Sequence, residues 1–180
     1  MKKFVIVGML MAALFGLVFL FMGTNGADTE KSAYLRVHIR ANSNSEEDQA
    51  IKYKVRDAVV EFLTPIVAAC ESKDEAIAEI TKKLPEAEKV AKSVLEANGY
   101  DYGAKAGIRK EEFPTRVYES VTLEAGVYDA LILELGTGTG DNWWCVVYPP
   151  LCFTSGNGNV VYKSKIAEII RKFYAEKEGR

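Results

Sequence analysis

The stretch Asn142 to Phe153, NWWCVVYPPLCF, sets two tryptophans, two cysteines and a double proline side by side. Read as a strand over Asn142 to Tyr148, it alternates its side chains between two faces. Trp143, Cys145 and Val147 then point one way, and Trp144, Val146 and Tyr148 the other. A strand apolar on both faces is either central in a covered sheet or has one face turned to a partner. Pro149 and Pro150 donate nothing to a ladder, so the strand ends there and the chain turns. The first reading makes both tryptophans core residues. The second makes one an exposed anchor for a protein partner, because Trp is enriched among interface residues whose truncation costs ~2 kcal/mol or more.

Outward from this stretch, the second half of the chain is strand-rich. Gly103 to Phe113, Thr115 to Leu123 and Tyr128 to Leu135 read as strands, with turn chemistry at Ala125-Gly126 and a glycine-rich hairpin at Gly136 to Gly140. Strands this close, without helices between them, are largely antiparallel. The first half differs. Leu35, Val37 and Ile39 alternate with Arg36, His38 and Arg40, the pattern of a strand with one buried and one wet face. His38 reads as a solvated residue on the wet face. After the polar turn Ala41 to Ser45, a capping box is offered by Ser43 with Glu46 or by Ser45 with Asp48. The helix it opens carries Ile51, Val55, Ala58, Val59 and Phe62 at helical spacing and runs to about Leu63, before the break expected at Thr64-Pro65. Ile66 to Cys70 reads as a short helical piece. Ser72 with Glu75 opens a second helix to about Leu84. Pro85 opens a third, ending at Asn98 with Gly99 as its stop. An amphipathic helix over Lys163 to Glu176 closes the chain. The whole is an α+β domain: a strand, three helices, a largely antiparallel strand cluster and a last helix.

Three parts follow: residues 1–23 as a signal peptide or membrane anchor, 24–33 as a linker, and 34–180 as the folded domain. Lys2 and Lys3 precede an uncharged apolar run from Phe4 to Met22. As a helix that run is about 28 Å long, close to the hydrocarbon thickness of a bilayer. Positive charge before it places the N-terminus in the cytoplasm and the rest outside. Thr24-x-Gly26 and Asn25-x-Ala27 are weak cleavage sites, so cleaved signal and uncleaved anchor both stand.

Chemistry is sparse. The net charge of −2 and scattered basic residues argue against a nucleic-acid surface. One histidine and no C-x-x-C spacing leave no metal site to assemble, and no cofactor motif is present. The Gly136 to Gly140 run has neither the lysine of a P-loop nor a following helix. One catalytic pairing is open: Cys145 as nucleophile with His38 as base, in an exported hydrolase of cell wall or peptide. The competing reading joins Cys145 and Cys152 in a disulfide, since the Pro-Pro turn can bring their Cα atoms within ~7 Å. Cys70 is then a buried free thiol.

LRVHIRANSNSEEDQAIKYKVRDAV (Leu35 to Val59), FPTRVYES (Phe113 to Ser120) and AGVYDALILELGTGTGDNWWCVVYPPLCF (Ala125 to Phe153), together with the export segment, resemble the stage II sporulation protein R family of endospore-forming bacteria. The resemblance implies a signalling protein without catalytic residues, cofactor or small-molecule substrate. It implies export from the forespore to the space between the two sporulation membranes. The partner it implies is a membrane-embedded aspartic protease of the mother cell, which processes the precursor of sigma factor E. Membrane contact through residues 4–22 follows if they are retained. On that reading Asn142, Trp143 and Trp144, with the turn residues Asn42 and Asn44, are the expected partner-binding positions.

Overall fold

The computed structural model describes residues 33–118, 121–151, 167–171 and 175. The chain divides into two compact units, Met1–Ala33 and Tyr34–Arg180, and the second is the one described below. Its elements are β1 (Leu35–Arg40), α1 (Glu46–Ala68), α2 (Lys73–Lys82), α3 (Leu84–Ala97), β2 (Ala104–Phe113), β3 (Arg116–Tyr118), β4 (Val121–Leu123), β5 (Gly126–Leu135) and β6 (Asn142–Tyr148). This is the α+β arrangement expected from the sequence. Residues 167–171 and 175 are helical, with Ile169 buried; the rest of the expected last helix, the export segment and Cys152 lie outside the described residues.

Four strands form one sheet in the order β2-β5-β1-β6. β2 pairs antiparallel with β5, β6 antiparallel with β1, and β1 parallel with β5. The glycine-rich run is therefore no hairpin, because β5 and β6 are not neighbours. It carries the chain from β5 across the end of β1. Nor is 115–123 one strand: β3 and β4 pair only with each other, as a small second sheet.

The helices lie on one face of the large sheet. Leu35, Val37 and Ile39 of β1, Leu131, Leu133 and Leu135 of β5, and Cys145 and Val147 of β6 share a core with Ile51, Val55, Val59, Leu63 and Val67 of α1. That α1 stripe recurs every four residues, so one helix face is apolar throughout. Ser45 is the cap, its hydroxyl accepting from the Asp48 N–H at 3.1 Å, and Glu46, Glu47 and Asp48 favour the positive end of the helix. Pro65 does not end α1. Burial of Leu63 before it and Val67 after it holds the last turn on the core, outweighing the one hydrogen bond that proline removes. Ser72 caps α2, and α3 stops two residues before Gly99, whose φ is +83°, with the Tyr100 N–H reaching back to the Leu95 carbonyl.

The other face of β1 is not wet. As a central strand it is flanked by β5 and β6, and Arg36 and His38 are 0% and 3% exposed. The alternation of charged and apolar residues led to the opposite expectation. It fails because aromatic side chains from β2, β3, β5 and β6 gather over that face.

Candidate functional site

At the ends of β1 and β5, the turn at residues 41–45 meets the crossing loop at residues 136–141. Asn42 is the pin. Its side-chain oxygen accepts from the Thr137 N–H at 2.9 Å, its amide donates to Asp48 at 2.9 Å, and its carbonyl accepts from the hydroxyls of Thr137 and Thr139. Asn44 accepts from the Asp141 N–H at 2.6 Å. The glycines are there because the loops touch. A Cβ on Gly136 would lie 2.3 Å from the Asn42 side-chain oxygen, and one on Gly140 would lie 2.2 Å from the Ser43 carbonyl. Gly136 and Gly138 also hold positive φ.

Beneath the turn, Asp48 accepts from Asn42, Ser43 and Tyr102. Burial alone would push its carboxyl upward; those hydrogen bonds outweigh burial and hold it below the usual range. Lys52, 2% exposed, donates to Gln49 at 2.6 Å and to the Asp141 carbonyl at 3.0 Å. Burial lowers its pKa. Asn42 and Asn44 thus spend their hydrogen bonds fastening two loops, and their first effect is to set where β6 begins.

β6 presents the two tryptophans on opposite faces, both half-buried. Trp143 pairs across the ladder with Ile39, on the helix side, and packs at the edge of the core. The Arg56 guanidinium lies 5.5 Å from its ring and 5.0 Å from that of Tyr53. Tyr53 is 45% exposed, one of three large hydrophobic residues so exposed among the described residues. Tyr53, Arg56 and Trp143 therefore form one continuous surface. Sequence reading missed Tyr53. The available signal was its place three residues before Arg56, which puts both on one side of α1.

Trp144 is on the other face, stacked on His38 with centroids 5.6 Å apart, and Arg116 lies 4.3 Å over it. Next along β1 is Arg36. Phe113, Tyr128 and Tyr118 surround its guanidinium at 4.1, 4.9 and 5.7 Å, and it donates to the Tyr118 hydroxyl at 2.7 Å. A ring face returns ~2 kcal/mol to a desolvated cation. An uncompensated buried charge costs ~3–5 kcal/mol. The rings offset much of that cost, and the Tyr118 hydroxyl accepts from Nη2, but Nε and Nη1 are left without acceptors. Arg40 and Arg109 are different: each pairs with both Glu111 and Glu134, at 2.6 to 3.1 Å.

The Cys145–His38 pairing is not assembled. Cys145 stands opposite Val37 and His38 opposite Trp144, so the two side chains project from opposite faces of the sheet. Cys145 is also disulfide-bonded, which leaves no thiolate there, while Cys70 is a buried free thiol. Among the described residues, no cluster of ligating side chains could hold a metal ion and no helix is long and apolar enough to cross a membrane.

The family model of stage II sporulation protein R matches residues 31–157, which includes both loops, both tryptophans and the whole sheet. The chain belongs to the stage II sporulation protein R family. A protein of Bacillus subtilis (strain 168) named stage II sporulation protein R is 40% identical over 139 residues, 77% of this chain. The aligned region spans 62% of that relative's length. No solved structure matches. Within the stage II sporulation protein R match, the two segments joined by Asn42 are far apart in sequence and adjacent in the fold.

Proposed function

We propose that this sporulation protein acts as an exported signal, switching on a membrane-embedded aspartic protease of the mother cell that processes the sigma-E precursor. Support comes from family membership, from the Lys2-Lys3 start and apolar run at 4–22, and above all from the Tyr53–Arg56–Trp143 surface. Trp, Tyr and Arg are the residue types that most often carry binding energy at protein interfaces. Here they are contiguous, and Arg56 preorders the two rings.

An activator shifts its target only by binding one state more tightly than the other. A tenfold shift needs ~1.4 kcal/mol of difference, within the reach of one well-buried aromatic residue. The test is a reconstituted processing assay with the full chain carrying Tyr53→Ala, Arg56→Ala or Trp143→Ala. Each substitution is expected to reduce processing at least tenfold. Tyr53→Ala and Arg56→Ala should leave the melting temperature within 2–3 °C, about what a surface substitution of 0.5 kcal/mol allows. Full processing by both folded helix variants would refute the assignment.

A further inference from the structure

On the sheet face turned away from the helices, Arg36 and His38 of β1 stand beside Trp144 and Asn142 of β6. Buried atoms without partners concentrate there: Arg36 Nε and Nη1, both His38 ring nitrogens, Trp144 Nε1 and Asn142 Oδ1. Most of these are donors. The two glutamates of that face, Glu111 and Glu134, are each shared by Arg40 and Arg109. No carboxylate pairs with Arg36 among the described residues, and Arg116, over Trp144, adds positive charge nearby. What this buried cluster lacks is a negative group to accept from those donors. The Nε–Nη2 edge of a guanidinium is the geometry that takes a carboxylate in two parallel bonds, and here Nε is unpartnered while Tyr118 holds Nη2. A single negative charge suits it better than a phosphate dianion, because the surrounding ring faces are themselves negative.

We propose that Arg36, with His38 and Trp144, forms a carboxylate-binding site beneath the β3–β4 hairpin. The hairpin is the cover. It makes no ladder with the large sheet, and it reaches the site through Tyr118 on Arg36 and Arg116 on Trp144. Movement of Tyr118 frees Nη2 and so opens the Nε–Nη2 edge of the guanidinium. The carboxylate comes either from a small free acid or from an acidic side chain of another protein. This site is on the opposite face from Trp143, so it stands or falls separately from the activator reading.

The test titrates the full chain in mild detergent with sodium acetate and with a short peptide bearing one glutamate, each against sodium chloride at matched ionic strength. Readouts are the melting temperature and, in Trp143→Phe, the emission of Trp144 as the remaining tryptophan. A saturable rise in melting temperature with carboxylate, absent with chloride and absent in Arg36→Met, is expected. Tyr118→Phe keeps the arginine and frees Nη2, and should tighten acetate binding threefold or more. A peptide at least tenfold tighter than acetate identifies a protein-borne carboxylate; equal affinity identifies a small acid. No saturable response in the unsubstituted chain, an equal response to chloride, or an Arg36→Met response like the parent's would overturn the site.

Discussion

His38 sits in the interior, with the Asn142 side chain near its ring but no well-formed hydrogen bond to either nitrogen. Burial lowers its pKa, helped by Arg40 and Arg109 and opposed by Asn142 and Glu111. A group with a lower pKa in the folded state binds fewer protons folded than unfolded. Stability is then full above the ordinary imidazole value near 6.5 and is lost as pH falls below it, until the folded pKa is passed. Melting temperatures between pH 8 and 5.5 should show this slope, and His38→Leu should flatten it. At pH 8 that substitution should cost less than ~1 kcal/mol, since it removes two unmet polar atoms along with the ring. A slope unchanged by the substitution would contradict this account of the residue. Asn42 is the opposite case, a polar residue whose side-chain oxygen and amide both have partners. Asn42→Ala leaves Asp48 and the Thr137 N–H short of partners, and a loss of ~1–3 kcal/mol in chemical denaturation is expected.

Among the elements, the loop from β5 to β6 is the most constrained. Gly140→Ala would force a Cβ against the Ser43 backbone and should cost ~1–3 kcal/mol, whereas Gly107→Ala, in β2 with open space around it, should gain ~0.5–1 kcal/mol. Equal effects in thermal melts would mean the two loops do not hold each other as described. Much of this level was legible in the sequence. Ser72 with Glu75, Pro85 and Gly99 marked their helix ends, and β5 and β6 followed from apolar runs between turns. What stayed hidden depended on neighbours remote in sequence. Pro65 reads as a stop until Val67 is seen to be buried. The Gly136 to Gly140 run reads as a hairpin until β1 is found between β5 and β6. Arg36 and His38 read as solvated until Phe113, Tyr118 and Tyr128 arrive from other strands.

For the whole molecule, the cysteines report on compartment and chemistry together. Burial, with Glu75 and Glu79 nearby, pushes the Cys70 thiol up to about 11, so it should resist alkylation at pH 8 while the protein is folded. Mass analysis should find one adduct per chain after denaturation without reductant and three after reduction. Three adducts without reductant would contradict the disulfide at Cys145 and reopen its thiol chemistry. The site itself was half legible. Trp143 and Trp144 stood out by residue type, but their separation onto two faces, and the joining of Trp143 to Tyr53 through Arg56, needed the packing of α1 on β6. The activator reading depends on that surface. Its most direct test is photo-crosslinking from position 53 in sporulating cells, with position 82 on α2 as the control. The account predicts an adduct with the membrane-embedded protease from position 53 and none from position 82; no adduct from position 53, or equal adducts from both, would contradict it.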